Sequence, residues 1–260
     1  MKRTVGWVLG ILVLAAGVRA AVVEKVVEYK QGGVVLSGFL AAPEGVQGKV
    51  PGILVVHEWM GLGDYEKSRV RQLAELGYVA FAADIYGKGV RPADMKAASE
   101  VSGKYKNDRK LLRARAKAAL DVLRKDPRVD GKKTAAIGYC FGGTTVLEMA
   151  RSGMPVLGVV SFHGGLDTPQ PASKGSIHCK VLAIQGADDP FYGFDAVTAF
   201  EKEMKDSGAD WQMVELGGAG HSFTNPAAKG TMKGLQYDAK ADRRSWRMMK
   251  DFFEELFGSK

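Results

Sequence analysis

Short apolar, β-branched runs alternate with longer charged segments of helical period along most of the chain. The run at 52–57, Gly-Ile-Leu-Val-Val-His, is continuous and apolar, as expected of a strand buried on both faces. A helical stretch follows at 65–76, and the next strand is predicted at 78–84. Strands separated by helices predict an α/β protein with a mostly parallel sheet and helices on both of its faces.

The rest of the chain continues this alternation. Residues 22–29 and 34–42 alternate like two antiparallel strands joined by a Gln-Gly-Gly turn. Further strands are predicted at 133–139, 156–162, 180–185 and 211–216, and helices within 92–127 and at 142–151, 196–207 and 239–257. No repeat or low-complexity linker interrupts the chain after residue 20, so residues 21–260 are predicted to form a single domain.

The N-terminal segment has a different character from the rest. Lys2 and Arg3 precede an apolar run at 5–18, and small residues stand at positions −3 and −1 of a cut after Ala20. The run is shorter than the roughly 20 apolar residues of a spanning helix, although an uncleaved anchor is an alternative. Residues 1–20 are therefore predicted to be a signal peptide. The mature protein is expected to be periplasmic or secreted, without stable membrane association.

Charge and histidine spacing limit the possible partners. The formal net charge is +8 at pH 7, but the basic residues are scattered, and no basic patch is interleaved with aromatic residues. Nucleic acid is therefore not an expected partner, and a small-molecule substrate is. The four histidines are dispersed without a ligand spacing such as H-x-x-x-H, so no metal is expected. No other cofactor is expected either. The oligomeric state stays open.

A candidate nucleophile follows the strand predicted at 133–139. The sequence at 138–143 is Gly-Tyr-Cys-Phe-Gly-Gly, which is the G-x-[Ser/Cys]-x-G elbow between a strand and a helix. The glycines permit a sharp turn that presents Cys140 at the amino end of the helix, where an anion such as thiolate is stabilised. A structural cysteine, or a disulfide with Cys179, is the alternative interpretation.

A nucleophile needs a base and a group that orients it, and in this fold they follow it in the order acid, histidine. The sequence Gly-Ala-Asp-Asp-Pro at 186–190 offers Asp189, with Asp188 as its rival. His221, in a glycine-rich loop after the last predicted strand, is the only histidine beyond them. The predicted triad is therefore Cys140, Asp189 and His221. A helix cap for the aspartates and a surface position for the histidine are the alternatives.

Taken together, these motifs resemble those of the dienelactone hydrolases, a branch of the α/β-hydrolases with a Cys-His-Asp triad. The resemblance extends over essentially the whole mature chain and includes Val-His-Glu-Trp-Met-Gly-Leu at 56–62 and Asp-Ile-Tyr at 84–86. It implies the α/β-hydrolase fold, and it implies hydrolysis of small esters or lactones through an acyl-cysteine intermediate.

The resemblance also implies roles for residues near the nucleophile. Glu58 would lie beside the cysteine and keep it as a protected thiol until substrate displaces the glutamate. Repulsion between a carboxylate and a thiolate acts in this direction. The backbone N–H groups of Trp59 and Phe141 would form the oxyanion hole. His163 ends a predicted strand, so it is a candidate for lining the pocket, with a purely structural role as the alternative.

The chain departs from the family pattern where the substrate carboxylate would bind. Lactone-degrading members hold that carboxylate with arginines, one of them a few residues after the catalytic histidine. Asn225 stands at that place here, and no arginine lies clearly at the other place within 93–105, with Arg91 the nearest. Acceptance of dienelactone therefore does not follow from the resemblance.

Two other functions compete with ester hydrolysis. A thiol-dependent glyoxalase or redox protein could use Cys140 and Glu58, but that model leaves Asp189 and His221 without a role. The other alternative is a non-catalytic binding protein that keeps a hydrolase fold, since fold does not fix function. Such a protein has no physical need for a nucleophile, an acid and a histidine together.

Overall fold

The structure, a computed structural model, describes residues 21–258. In chain order its elements are β1 (Val22–Gln31), β2 (Val34–Pro43), β3 (Val50–Val56), α1 (Asp64–Glu75), β4 (Val79–Ala83), α2 (Met95–Asn107), α3 (Arg109–Lys125), β5 (Val129–Tyr139), α4 (Phe141–Arg151), β6 (Gly158–Phe162), β7 (Lys180–Gly186), α5 (Phe194–Ser207), β8 (Trp211–Leu216) and α6 (Ala239–Phe257). The predicted signal peptide lies outside the described residues.

Each predicted strand and helix is present, with small shifts at the ends. The stretch predicted as mostly helical at 92–127 consists of two helices that meet at Asp108. The side chain of Asp108 accepts a hydrogen bond from the N–H of Leu111 at 2.9 Å and so caps α3. This short acidic side chain ends one helix and begins the next, because it offers the backbone donors an acceptor outside the helix.

The eight strands form one sheet in the order β1-β2-β4-β3-β5-β6-β7-β8. Strands β3 to β8 are parallel to one another, whereas β2 runs antiparallel to both β1 and β4. The predicted α/β class and the mostly parallel sheet are therefore confirmed. The first two strands form the hairpin expected from their alternating pattern.

Two apolar layers hold the helices against the sheet. Along β3, Leu54 and Val56 face the layer under α3, α4 and α5, while Ile53 and Val55 face the layer under α1 and α6. All four side chains are fully buried, which explains why this strand is apolar without alternation. Each buried side chain of this size contributes about 1.5–3 kcal/mol relative to an exposed one.

The topology brings the predicted site residues to one edge of the sheet. Parallel strands end at the same edge, and in such sheets the loops beyond the carboxyl ends form the ligand-binding crevice. Strand β3 leads into Glu58, β5 into Cys140, β7 into Asp189 and β8 into His221. Within residues 21–258, no helix is both long and apolar enough to span a bilayer.

Candidate active site

Cys140 lies at the sharp turn between β5 and α4. Its backbone has φ 53° and ψ −113°, a conformation that L-residues other than glycine rarely adopt. A Cβ atom on Gly138 would lie 2.0 Å from the carbonyl oxygen of Gly142, and one on Gly142 would lie 2.1 Å from that of Val56. Both positions therefore require glycine, and the strain at Cys140 is held by the surrounding backbone.

His221 links an acid to the nucleophile. Its Nδ1 lies 2.8 Å from Oδ2 of Asp189, and both side chains are buried. The other oxygen of Asp189 accepts a hydrogen bond from the N–H of Phe191 at 2.9 Å, which fixes the carboxylate. Asp188 is exposed on the outside of the turn. The structure thus brings Asp189, and not its neighbour, to the histidine.

Cys140 lies next to His221, and both line the same cavity. Burial acts to lower the pKa of His221, but the nearby Cys140 and the hydrogen bond with Asp189 outweigh it and raise the pKa to about 10. The imidazole therefore keeps its proton readily beside the sulfur atom of Cys140. A protonated imidazole is the partner that a cysteine nucleophile requires.

A cavity of about 230 Å³ opens onto the sulfur side of this pair. Its walls are Trp59, Ser99, Ser102, Gly103, Lys106, Cys140, Phe191, Tyr192, His221 and Leu235. Four of these residues lie on one face of α2, at the i, i+3, i+4, i+7 spacing of a helix surface. Cys140 is half-buried and reachable, whereas Cys179 is buried elsewhere, and both thiols are free.

Two backbone N–H groups, those of Phe141 and Trp59, are the predicted donors of an oxyanion hole. That of Phe141 is the first of α4, where no intrahelical acceptor exists, and that of Trp59 follows β3. Neither has a hydrogen-bond acceptor in the part of the chain that the structure describes. The side chain of Trp59 lines the cavity, so its peptide lies near the place where a substrate carbonyl would bind.

His57 orients the peptide that carries the Trp59 N–H. Its Nε2 accepts a hydrogen bond from the N–H of Ile85 at 3.2 Å, so its Nδ1 carries the proton and donates to the carbonyl oxygen of Glu58 at 2.6 Å. In a trans peptide the carbonyl and the following N–H point in opposite directions. The Trp59 N–H is therefore turned away from His57. Burial lowers the pKa of His57 to about 4, so the ring stays neutral.

Glu58 is buried close to the site. Its Oε2 accepts a hydrogen bond from Nδ2 of Asn225 at 2.5 Å, while its Oε1 has no hydrogen-bond partner within residues 21–258. Burial, and then the charge of Glu66, raise the pKa of the Glu58 carboxyl to about 7. The hydrogen bond of this carboxyl thus goes to the asparagine rather than to Cys140. The thiol-gating role stays a prediction.

Three further residues lie around the site, and the sequence left their places open. His163 is fully buried behind the elbow and does not line the cavity, because its ring is enclosed by the nucleophile turn and the loop after His221. Arg91 donates to the carbonyl oxygens of Leu62 and Val90, so its guanidinium is engaged outside the cavity wall. Lys106 instead contributes a cation to that wall.

Comparison with known proteins decides the family. The family model described as "Dienelactone hydrolase family" matches residues 36–257. The chain belongs to the dienelactone hydrolase family. This confirms the predicted family and the predicted class of enzyme, an ester or lactone hydrolase. The match covers nearly the whole part of the chain that the structure describes, including every site residue named above.

Individual known proteins resemble the chain over most of its length. A crystal structure of a dienelactone hydrolase-like promiscuous phosphotriesterase from metagenomic libraries is 44% identical, covers 92% of this chain and 100% of its own, and superposes with a TM-score of 0.88. Protein usf of Aquifex pyrophilus is 27% identical over 89% of this chain and 98% of its own. A Bradyrhizobium protein named as a probable 2-oxo-3-(5-oxofuran-2-ylidene)propanoate lactonase is 28% identical over 71% and 77%.

Proposed function

We propose that this dienelactone hydrolase family member cleaves small esters or lactones through an acyl-cysteine intermediate. The observation that carries the proposal is the chain of contacts from Asp189 through His221 to Cys140, which ends at the open cavity. An acid, a base and a nucleophile in this relation have the roles of a hydrolytic triad. A redox or glyoxalase function would leave the Asp189–His221 contact without purpose.

The reaction follows from this geometry. The Cys140 thiolate attacks the carbonyl carbon, and the negative charge that forms on the carbonyl oxygen is stabilised by the N–H groups of Trp59 and Phe141. His221 gives its proton to the departing alkoxide, and a thioester remains on Cys140. His221 then takes a proton from water, whose hydroxide attacks the thioester and releases the carboxylic acid and the thiolate. Each oxyanion donor contributes about 3 kcal/mol to such a step.

Glu58 is proposed to control the state of the thiol before substrate binds. Its carboxyl, with a pKa raised to about 7, can hold or release a proton near neutral pH. Release from Asn225 would free the carboxyl to exchange that proton with Cys140. A charged carboxylate near Cys140 would also disfavour the thiolate by repulsion. The charge of His221 acts on the same carboxyl, which supports their proximity.

A second candidate activity is the hydrolysis of phosphotriesters. The 44% identical relative is named a promiscuous phosphotriesterase, and a thiolate with two oxyanion donors can attack phosphorus as well as carbon. Turnover of a 4-nitrophenyl dialkyl phosphate, lost together with ester hydrolysis in a Cys140→Ala protein, would support this activity. Ester hydrolysis without any phosphotriester turnover would limit the function to esters and lactones.

Export is a further part of the proposal. The charged start, apolar core and small residues within residues 1–20 favour a cleaved signal peptide. N-terminal sequencing of protein expressed at full length tests this: a new N-terminus at Ala21 in the exported fraction is expected. An intact Met1 in a membrane fraction would indicate an anchor instead.

Trapping the intermediate tests the proposed mechanism. After rapid mixing with an activated ester, intact mass spectrometry should detect one acyl group on the protein, and peptide mapping should assign it to Cys140. A His221→Ala protein is expected to retain slow alkylation by iodoacetamide but to lose turnover. Cys179→Ala is the control, because Cys179 lies away from the cavity and its replacement should leave the labelling unchanged.

Lys106 should set a preference among substrates. It is the only cationic side chain among the described residues that line the cavity. Within residues 21–258 it forms no hydrogen bond or ion pair with another side chain. An anionic substrate group held near it would gain about 1–2 kcal/mol at the intermediate dielectric of a half-open cavity. Lys106→Met is therefore expected to lower kcat/KM about 10-fold for a 4-nitrophenyl ester bearing a free carboxylate.

The matched substrate is a neutral 4-nitrophenyl ester of the same length. Its kcat/KM should change little in Lys106→Met, and Lys106→Arg should keep the preference for the carboxylate. Equal losses for both esters would show that Lys106 acts on the shape of the cavity and not through its charge.

A further inference from the structure

His163 occupies a strained position between the two loops that carry the proposed chemistry. It directly follows β6 and has φ 40°, one of three non-glycine residues with positive φ among the described residues. Its side chain is fully buried, so it cannot contact a substrate in the cavity. Such a conformation costs of order 1–3 kcal/mol and persists only where neighbouring contacts hold it.

The ring of His163 bonds to both loops at once. Its Nδ1 accepts a hydrogen bond from the N–H of Cys140 at 3.2 Å, and the same N–H reaches the carbonyl oxygen of Phe162 at 3.0 Å. Because Nδ1 accepts, Nε2 carries the proton and donates to Oγ1 of Thr224 at 2.7 Å. The two partners lie in the nucleophile elbow and in the loop that begins with His221. Only one neutral tautomer of His163 satisfies both contacts.

Thr224 is itself held from the other side. Its Oγ1 accepts a second hydrogen bond from the hydroxyl of Tyr65 at 2.6 Å, and its carbonyl oxygen accepts one from Nη2 of Arg69 at 2.8 Å. The same Nη2 lies 2.5 Å from Oδ1 of Asp242 in α6. The loop that carries the proposed base is thus fixed to α1 and α6, and His163 connects this fixed loop to the elbow.

The ring also packs directly against the base. The rings of His163 and His221 meet edge to face with their centres 5.2 Å apart, and Phe223 packs against His163 at 5.0 Å. A change in the position of His163 would therefore move both the Cys140 backbone and the His221 imidazole. None of the proposed chemical steps uses His163 itself.

We propose that His163 is a positioning residue, which sets the distance and orientation between Cys140 and His221 through a single neutral tautomer. This inference rests on the proposed triad. A protonated Nδ1 could not accept a hydrogen bond from the Cys140 N–H, so this positioning role requires a His163 ring that stays neutral. Burial, and then the charge of His221, keep the pKa of His163 well below its usual value. Arg69 acts in the same direction.

Two pairs of variants separate positioning from general stability. In His163→Asn the Oδ1 atom can replace Nδ1 as acceptor, and asparagine tolerates positive φ. In His163→Phe the packing is largely kept and both hydrogen bonds are lost. Thr224→Val removes the other end of the connection, and Thr224→Ser keeps its hydroxyl.

We expect His163→Phe to lower kcat for a 4-nitrophenyl ester by about 10²-fold, since displacement of reacting groups by about 1 Å has effects of that size. KM should change much less, because His163 does not line the cavity. His163→Asn should recover most of the lost kcat. Thr224→Val should resemble His163→Phe, and Thr224→Ser should resemble the unchanged protein.

Alkylation of Cys140 by iodoacetamide gives a readout that does not depend on turnover. A displaced His221 stabilises the thiolate less, so the rise in alkylation rate should move to higher pH in His163→Phe and Thr224→Val. Folded His163→Phe protein with unchanged kcat and an unchanged alkylation profile would overturn the proposal. If the unchanged protein lacked esterase activity and Cys140 labelling, the triad itself would fail, which is a distinct result.

Nitrogen-15 NMR of the unchanged protein tests the tautomer without any variant, so a misfolded His163→Phe does not end the test. We expect Nδ1 of His163 to be unprotonated and Nε2 to be protonated between about pH 5 and 9, a range in which an ordinary histidine titrates. The opposite tautomer, or titration of His163 within that range, would overturn the proposal.

Discussion

Replacement of Cys140 by alanine is expected to lower ester hydrolysis by about 10⁴- to 10⁶-fold, the usual effect of removing the nucleophile from a hydrolytic triad. Cys140 is the only thiol that lines the cavity within the described residues, and His221 lies beside it in the same wall. Without the sulfur no thioester can form, and the residual rate is expected to come from substrate binding and the proposed oxyanion donors. Initial rates with 4-nitrophenyl acetate, measured beside an enzyme-free blank, provide the test.

Two variants calibrate this result. Cys140→Ser keeps a nucleophilic atom in the same turn, but a hydroxyl is far harder to deprotonate than a thiol, so activity between the two extremes is expected. Cys179→Ala should retain nearly full activity, although removal of a buried sulfur lowers stability slightly. Full activity in Cys140→Ala would refute the acyl-cysteine mechanism. Circular dichroism of both alanine variants establishes that they are folded.

Replacement of Glu58 by glutamine is expected to change how the stability of the protein depends on pH. The Glu58 carboxyl has a pKa of about 7 in the folded protein, against 4.5 for an unperturbed glutamate. Between these values the folded state binds more protons than the unfolded state, so the free energy of unfolding falls as pH rises. This decrease in the free energy of unfolding is complete above about pH 7 and is of the order of 3 kcal/mol.

The glutamine variant lacks this titration and can still accept the hydrogen bond from Asn225. Compared with the unchanged protein, it should be similar in stability near pH 4.5 and more stable by up to about 3 kcal/mol above pH 7. Urea unfolding at a series of pH values measures this difference. The carboxyl faces Glu66, Asn225, His221 and Arg69, and their contributions are already part of its raised pKa.

Asn225→Ala provides the matched control for the Glu58 effect. The hydrogen bond from Asn225 lowers the pKa of Glu58, so its loss should raise that pKa and extend the fall in stability to higher pH. A stability difference between the Glu58→Gln and unchanged proteins that does not vary with pH would contradict the assignment. In that case the pKa of Glu58 would be the same in the folded and the unfolded protein.

The strands, the mostly parallel sheet and the elbow could be predicted from sequence because local chemistry determines them. Continuous apolar runs identify buried parallel strands, and the glycines around Cys140 are required by contacts of 2.0 and 2.1 Å that any side chain would make. Chain order then left His221 as the only base. These features depend on residues that are adjacent in the sequence, so periodicity and spacing were sufficient.

Other parts of the site depend on tertiary contacts that cannot be predicted from a single sequence. The sequence does not distinguish Asp188 from Asp189 as the triad acid. Only the conformation of the turn after β7 directs the Asp189 side chain toward His221. His57 was recognised as the end of a strand, but its control of the Glu58 carbonyl requires the N–H of Ile85 from a different strand end. The role of Asn225 was likewise invisible, because its partner lies 167 residues away.

The cavity face of α2 could have been noticed as a pattern, although not located. Ser99, Ser102, Gly103 and Lys106 are small or polar at helical spacing, which is typical of a solvated face as well as of a pocket wall. Only the packing of α2 over the end of the sheet distinguishes the two.

The open space at Gly103 has a consequence for how the enzyme can acquire new substrates. A Cβ atom added there meets no atom within 4 Å outside the local backbone of its own helix, in contrast to the crowded glycines of the elbow. A substitution at Gly103 can therefore reshape the cavity without passing through a misfolded ancestor. A combinatorial library confined to the cavity face of α2 should diversify the range of substrates while the geometry of the triad stays nearly constant. Substrate range and reaction geometry can therefore evolve separately.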